Sequence, residues 1–273
     1  MNKKIVVFLK IVVSLGIVVF LFDQVDFEKI VNILQNVNIT IVIYSLILLI
    51  IQVFVATTRW FFVLKCQNIE ISYGRVLQIL WSGLFFNQAM PSSVGGDVIR
   101  VYYLKKQGIT LGRATVGVLM DRLFGMLGLI LLVLFSIPFV FELVNDSIAR
   151  TGVLFITLGA SFTLMFMFFT DKLPGNFSHL RIIKGFYALS KGARHCISNR
   201  FSGIIILILS LLLHIISVVA VMIISIGIGI NIEWLGFLLI IPLVTLIMVV
   251  PISIAGWGVR EGVMVVGFGY LGV

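Results

Sequence analysis

Residues 85–106 read FFNQAMPSSVGGDVIRVYYLKK, an apolar run that breaks into proline, serines and paired glycines before a charged segment begins. A similar pattern returns at residues 248–261, which read MVVPISIAGWGVRE. Aligning Pro91 with Pro251 also aligns a serine and a glycine of the two stretches, and an arginine follows each break. We interpret both stretches as broken membrane segments and expect a functional site where they meet.

The composition is that of a membrane protein. The chain has 273 residues, of which 60% are hydrophobic and only 11% are charged, whereas a soluble domain carries about 25% charged residues. We therefore predict an all-α, polytopic helical membrane protein with a single integral membrane domain over residues 1–273. Its formal net charge of +9 indicates orientation in the membrane and contact with anionic lipid headgroups rather than with nucleic acid.

Five apolar stretches are long enough to cross a bilayer as helices, which takes about 20 residues. They cover approximately residues 5–22, 39–58, 115–141, 151–170 and 201–230. No cleavage site follows the first stretch, so we interpret it as an uncleaved helix rather than a signal peptide. A short polar connection beginning with Asp23, Asp26 and Glu28 follows it, and Arg59 closes the second span.

Lysine and arginine are distributed unevenly between the loops. With a cytosolic N-terminus, only Lys29 and Arg150 fall in the proposed outer loops, beside most of the acidic residues. This asymmetry requires residues 76–96 to enter and leave on the same side, which predicts a re-entrant hairpin. The second uncharged stretch, residues 234–259, starts from the outer face. Similar broken segments that enter from opposite sides are typical of an inverted repeat; the alternative is a coincidence of Pro, Ser and Gly in two membrane helices.

Residues 178–200, SHLRIIKGFYALSKGARHCISNR, carry basic residues at spacings of three and seven. Apolar residues that include Phe186 and Tyr187 lie toward another face of the same helix. This pattern predicts an amphipathic helix on the cytosolic leaflet. An ordinary basic loop is the alternative, since Gly185 and Gly192 weaken a helix.

The broken segments, about residues 76–100 and 234–262, supply the candidate site. Backbone N–H groups freed at a break need partners inside a membrane, and the N-terminus of a helix that starts near Asp97 attracts anions such as a lipid phosphate. The candidate phosphate-binding residues are the small residues of each break and the arginine after it: Ser92, Ser93, Gly95, Gly96, Arg100, Ser253, Gly256, Gly258 and Arg260. The expected supporting polar groups are Asn87, Gln88, Asp97, Asp121, Arg122 and Glu261.

These polar residues also have simpler interpretations. Each arginine is compatible with an anchor at a helix end, and Asp121 with Arg122 is compatible with a structural pair at a membrane edge. The match between the two breaks favours a site. His214 lies alone in the fifth span, where we expect a hydrogen bond between helices rather than a proton relay.

Motifs of soluble enzymes are not found in the chain. There is no HExxH, Walker A or GxSxG motif, and Cys and His show no metal-ligand spacing. The sequence therefore predicts no catalytic residue, no metal ligand and no cofactor.

Three stretches together resemble a known family. Residues 91–100 (PSSVGGDVIR), the pair Asp121-Arg122 at an apolar helix start and residues 251–262 (PISIAGWGVREG) are similar to the lysylphosphatidylglycerol synthase transmembrane-region family of flippase-like membrane proteins. The similarity covers nearly the whole chain in order and spacing. It implies a lipid-handling helical domain with re-entrant segments in the bacterial cytoplasmic membrane. Bifunctional members are thought to flip lysylated phosphatidylglycerol, which a separate soluble domain makes, and other members accompany polyprenyl-phosphate glycosyl transfer.

Two departures limit what the resemblance implies. No aminoacyltransferase domain is present, so lysyltransferase activity is not carried over. Twelve residues follow Glu261, a helical rise of about 18 Å against a hydrocarbon core of about 30 Å. This leaves open a truncated form and an incomplete second repeat.

The function predicted from the sequence is a transporter or flippase for an anionic or phosphate-bearing lipid, such as a phosphatidylglycerol derivative or a polyprenyl phosphate. One alternative is the membrane component of a lipid-modifying transferase, working with a separately encoded glycosyl- or aminoacyltransferase. The other is a lipid-binding scaffold without turnover. On the first hypothesis the partner is an anionic membrane lipid, and neutralising Arg100 abolishes transport without loss of folding.

Overall fold

The computed structural model describes residues 27–89, 94–172, 181–230, 232–249 and 258–272, with positions 12, 16 and 20 in addition. Within these ranges the secondary structure is helical and no strand occurs, so the all-α prediction is confirmed. The α-helices, numbered in chain order, are α1 (Phe27–Asn36), α2 (Ile39–Cys66), α3 (Tyr73–Ala89), α4 (Gly95–Lys106), α5 (Leu111–Leu143), α6 (Ser147–Phe169), α7 (Arg181–Ser198), α8 (Arg200–Gly227), α9 (Trp234–Met248) and α10 (Val259–Gly269).

Four of the described helices are long and apolar enough to cross a membrane: α2, α5, α6 with the 3-10 turn that extends it to Lys172, and α8. They correspond to four of the five predicted spans. The first predicted span, residues 5–22, lies almost entirely outside the described residues. Helix α2 also corrects a boundary, because it does not close at Arg59 but continues to Cys66.

Polar caps mark where two of the long apolar helices begin. The Asn38 side chain accepts from the Thr40 N–H at 2.9 Å and starts α2. The Asp146 side chain accepts from the Ile148 N–H at 2.7 Å and starts α6. Each cap satisfies an N–H group that the first turn of a helix leaves without a partner.

The central helix of the bundle is α5, which packs against α2, α4, α6, α7, α8 and α9. Its buried residues include Phe124 and Val133. Helix α8 approaches it closely at Gly128, where a Cβ would lie 2.7 Å from the Cβ of Ser210. Side chains that α5 carries at mid-length therefore face several neighbouring helices at once.

Helices α3 and α4 form an antiparallel hairpin. At its open end, the Arg75 guanidinium donates to the side-chain carbonyl of Gln107, at 3.1 Å from Nε and 3.0 Å from Nη2. Toward its closed end the helices cross at paired glycines, since a Cβ on Gly96 would lie 2.2 Å from the Gly83 carbonyl oxygen. The Gly96 N–H donates to Asn87 Oδ1 at 2.8 Å, which ties the start of α4 to the end of α3.

Helices α9 and α10 form the second antiparallel hairpin. The start of α9 lies beside the chain just after α10, because a Cβ on Gly236 would lie 2.5 Å from Leu271 Cδ1. Next to this open end, the Tyr270 hydroxyl donates to Asp146 Oδ2 at 2.9 Å. The hairpin is therefore attached to the connection between α5 and α6.

The two hairpins open at opposite ends of the bundle. The α3–α4 hairpin opens where α2 ends and α5 begins, and at this end the Arg113 guanidinium donates to the carbonyls of Gln67 and Asn68. The α9–α10 hairpin opens at the other end, where α5 leads into α6. The hairpins are thus inverted relative to one another. Their turns, residues 90–93 and 250–257, lie outside the described residues.

Helix α7 corresponds to the predicted amphipathic segment, of which residues 178–180 lie outside the described residues. It is a helix rather than a basic loop, and its buried residues are Leu189, Ser190, Ala193 and Cys196. Ser190 Oγ donates to Asp171 at 2.6 Å, and Arg194 forms an ion pair with the same carboxylate. Phe186 and Tyr187, which the sequence placed on a separate apolar face, are exposed.

Helix α1 corrects the interpretation of residues after Phe22 as only a polar connection. Phe27–Asn36 form a helix of ten residues. The acidic residues at the start of this connection indicated a polar loop, although apolar residues follow them at helical spacing.

The glycine crossing of the first hairpin generates a prediction. Gly96→Ala should destabilise the protein by about 1–3 kcal/mol or more, because the added methyl group meets a backbone oxygen that cannot rotate away. Gly74→Ala in α3 is the matched control, since a Cβ there meets nothing within 4 Å. Thermal unfolding of the purified protein in detergent, followed by intrinsic fluorescence, measures both. Equal melting temperatures for Gly96→Ala and the wild type would contradict the crossing.

Candidate functional site

The most deeply buried charge in the described residues is the carboxylate of Asp121, on α5. Its side chain is 5% exposed. Asp121 Oδ1 accepts from Arg59 Nε of α2 at 2.9 Å, and Oδ2 accepts from Arg100 Nη2 of α4 at 2.7 Å. One carboxylate therefore joins a membrane-length helix, the central helix and the first hairpin.

Aromatic and glycine residues complete the surroundings of the two arginines. The Arg100 guanidinium carbon lies 3.9 Å from the ring centroid of Trp60, a side chain that is fully buried. This is cation–π geometry, which is strongest where water is excluded. Gly125 makes room for Arg59, since a Cβ there would lie 3.1 Å from Arg59 Nη1. Gly83 does the same for Arg100, at 2.9 Å from its Cγ.

A second carboxylate extends the cluster. Asp97 lies in the first turn of α4, where the helix dipole favours a negative charge. Its Oδ2 accepts from Arg122 Nε at 2.5 Å, and its Oδ1 lies 3.6 Å from Arg100 Nη1. The Arg122 side chain is 47% exposed. We call the set Arg59, Asp97, Arg100, Asp121 and Arg122 the charge cluster.

The charge cluster lies inside the bundle. Asp121 follows Arg113 by eight residues, which is a rise of about 12 Å along α5. Arg59 precedes the end of α2 at Cys66 by seven residues, which is a rise of about 10 Å. The cluster is thus set back from the ends of both helices.

The cluster contains more arginines than aspartates. Three arginines face two aspartates, which gives these five side chains a formal charge of +1. Among the described side chains, Arg100 Nε, Trp60 Nε1 and Asp97 Oδ1 are buried without a hydrogen-bond partner.

The site residues predicted at the first break lie in different environments. Gly95 and Gly96 are buried in the first turn of α4, and the Gly96 N–H, expected to face an anion, is used by Asn87. Gln88 is exposed. Ser92 and Ser93 lie outside the described residues.

Arg100 lies in a different environment from the one that the sequence analysis expected. The sequence analysis placed it among the phosphate-binding residues, with a side chain that could be neutralised without loss of folding. In the structure it is bound by Asp121 and stacked on Trp60. Because it neutralises a buried carboxylate, replacing it removes a structural ion pair. Arg122, predicted only as a supporting group, is the more exposed arginine of the cluster.

The described part of the second break differs from the first. Gly258 has φ of 82°, a backbone conformation suited to glycine. Its N–H donates to Glu261 Oε2 at 2.8 Å. Arg260 donates to Glu261 Oε1 at 2.6 Å, and its side chain is 53% exposed. Arg260 thus does not repeat the buried environment of Arg100, while Ser253 and Gly256 lie outside the described residues.

The sequence analysis missed Arg59 and Trp60. The predicted second span ended before Arg59 because that residue is charged, although the sequence FVATTRWFFVL is apolar on both sides of it. An arginine flanked by apolar sequence is a signal for a buried ion pair, since ionisable residues within membrane helices usually pair inside the bundle.

The expectation for His214 is confirmed. Its Nε2 lies 3.0 Å from the Gly125 carbonyl oxygen, which is a hydrogen bond between α8 and α5. Nearby, Gln52 Nε2 donates to Ser217 Oγ at 2.6 Å and joins α2 to α8. These neutral contacts hold together the helices around the cluster.

The fold and the charge cluster define a polytopic helical membrane protein with a buried ion-pair network between α2, α4 and α5. The chain belongs to the family described as the lysylphosphatidylglycerol synthase TM region, which it matches over residues 7–273. This confirms the resemblance.

Two membrane proteins are similar to part of this chain. UPF0104 membrane protein MJ1595 of Methanocaldococcus jannaschii is 29% identical over 114 residues, 41% of this chain and 34% of the relative. UPF0104 membrane protein PH1989 of Pyrococcus horikoshii is 25% identical over 100 residues, 36% of this chain and 30% of the relative. The matched stretches thus span about a third of each relative. No solved structure matches this chain significantly.

The buried ion pairs generate a second prediction. Asp121→Asn keeps the shape of the side chain but leaves two buried guanidinium groups without their carboxylate, so we expect a loss of about 3–5 kcal/mol in unfolding free energy. Arg260→Gln is the control, because an exposed ion pair contributes only about 0–1 kcal/mol. Denaturation in detergent measures both. A loss for Asp121→Asn no larger than that for Arg260→Gln would show that the cluster does not hold the bundle together.

Proposed function

We propose that this protein moves an anionic, phosphate-bearing lipid between membrane leaflets and that the headgroup binds at the charge cluster. The observation that carries this proposal is the excess of arginine in the cluster, three arginines to two aspartates, together with the half-exposed side chain of Arg122 at its edge. An anionic headgroup can reach a half-exposed guanidinium group and bind it through charge-assisted hydrogen bonds.

Arg122 is the residue that we assign to the headgroup. Its side chain is half exposed, whereas those of Arg59 and Arg100 are about 90% buried. A guanidinium group offers two parallel N–H donors to phosphate oxygens. Asp97 positions Arg122 through Nε, and Arg59, Arg100 and Asp121 hold the helices that carry the site.

The inverted hairpins support movement rather than binding alone. Transporters commonly place their sites where broken helices enter from opposite sides, and they alternate access by rocking one half against the other. Here the α3–α4 hairpin carries Asp97 and Arg100, and the α9–α10 hairpin enters from the opposite end. The family description connects this region with lysylphosphatidylglycerol synthases, which fits a substrate among phosphatidylglycerol derivatives.

We further propose that the end where α2 finishes and α5 begins faces the cytosol of the cell. Basic residues cluster there, namely Lys65, Arg75, Lys105, Lys106 and Arg113. Glu142, Asp146, Arg150 and Glu233 lie near the opposite end. Cytosolic ends of membrane proteins carry the excess of Lys and Arg, so the hairpins would be re-entrant, one from each side.

The proposal predicts that Arg122→Gln slows lipid movement at least about tenfold, since one charge-assisted hydrogen bond contributes about 1.5–3 kcal/mol. The assay uses proteoliposomes with headgroup-labelled phosphatidylglycerol or a short polyprenyl phosphate, and an impermeant quencher added outside. Arg113→Gln is the matched control on the same helix, and we expect it to change the rate little because, within the described residues, its guanidinium donates to the loop carbonyls of Gln67 and Asn68 rather than to the cluster.

Two results would contradict the proposal. Folded wild-type protein that moves neither lipid would favour a binding scaffold or the membrane component of a transferase. Arg122→Gln protein that moves lipid at the wild-type rate would remove this residue from the site. A melting curve for each variant separates lost transport from lost folding.

A further inference from the structure

Helix α1 is a short amphipathic helix whose residues are all exposed. Four of its five apolar residues recur at spacings of three and four, at Phe27, Ile30, Val31 and Leu34. At 100° per residue these four lie within about 100° of the helix circumference, and the fifth, Ile33, lies about 60° further round, next to Lys29. The polar residues occupy the opposite side: Glu28, Lys29, Asn32, Gln35 and Asn36. Leu34 is 68% exposed, so the apolar side faces outward rather than into the bundle.

The position of α1 in the fold indicates what covers this apolar side. Only Val37 and Asn38 separate α1 from the start of α2, a membrane-length helix. The first turns of α2 expose large apolar residues, including Ile39, Ile43 and Leu46. In a membrane protein these residues face lipid. The apolar side of α1 therefore continues a lipid-facing surface at the point where that surface leaves the membrane.

The polar side of α1 faces a different environment. Lys29, Asn32, Ile33 and Asn36 line an open recess of about 420 Å³ together with residues 227–229, at the end of α8. Asn36 Nδ2 donates to the Asn32 backbone carbonyl at 2.8 Å and to its side-chain carbonyl at 2.7 Å. The recess lies at the end of the bundle where the second hairpin opens, opposite the end nearest to the charge cluster.

We infer that α1 lies flat on the membrane as an interfacial helix, with Phe27, Ile30, Val31 and Leu34 inserted at the boundary between headgroups and acyl chains. The occupant of its apolar side is the lipid of that leaflet. A helix of this kind buries its apolar side only about 5–10 Å deep and keeps its polar side in water. It anchors the start of α2 at the membrane surface, and it does so whether or not the protein moves lipid.

Site-directed spin labelling tests this placement in vesicles of phosphatidylglycerol and phosphatidylcholine. Single cysteines replace Val31 and Leu34 on the apolar side and Asn32 and Gln35 on the polar side. The background carries Cys66→Ser and Cys196→Ala. If that background does not fold, the native cysteines stay and the signal of the labelled parent chain is subtracted. Collision rates with oxygen, which concentrates in lipid, are compared with those of a water-soluble nickel chelate.

The inference expects a several-fold higher ratio of oxygen to nickel collisions at Val31→Cys and Leu34→Cys than at Asn32→Cys and Gln35→Cys. Two outcomes would overturn it. High collision rates with the nickel chelate at all four positions would mean that water surrounds α1 on both sides. Protection of the apolar side from both reagents would mean that protein covers it, either a second copy of this chain or another part of the same chain.

Discussion

The bond between Asp121 and two arginines is the constraint on which the rest of the structure depends. A carboxylate about 12 Å inside a bilayer-spanning bundle is stable only with well-placed partners. Arg59 and Arg100 supply them from α2 and α4. The glycines at positions 83 and 125 then become necessary, because larger residues would displace the arginines. The packing of α2, α4 and α5 follows from one buried charge.

The same constraint separates a structural part of the cluster from an accessible part. Arg59 and Arg100 are enclosed with Asp121, and Trp60 covers the Arg100 guanidinium. Asp97 and Arg122 lie at the edge of this group, where Arg122 is half exposed. An enclosed network with an accessible arginine is suited to a headgroup site, because rigid partners hold the accessible charge in position. Asp97, at this edge, lies in the first turn of α4.

Much of the fold was predictable from the sequence, because apolar stretches of about 20 residues report membrane spans directly. The distribution of basic residues also predicted a re-entrant hairpin over residues 76–96. Helices α3 and α4 are antiparallel, whereas entry and exit on one side of the membrane stays a prediction. Burial of Arg59 was not predictable from hydropathy, which treats any charge as the end of a span. The similarity between Arg100 and Arg260 was misleading for a related reason: it aligns two residues by sequence, whereas their environments depend on which carboxylate the fold brings near. Asp121 reaches Arg100, whereas the adjacent Glu261 pairs with Arg260.

The most direct test of the account is selective lipid binding by the folded protein. Native mass spectrometry of the purified chain would compare retention of phosphatidylglycerol with that of phosphatidylcholine of the same acyl composition. An accessible Arg122 at the edge of the cluster predicts preferential retention of the anionic lipid, and a preference reduced in Arg122→Gln but not in Arg113→Gln. Equal retention of the two lipids by the wild type would contradict the account, because the proposed site would then not recognise an anionic headgroup.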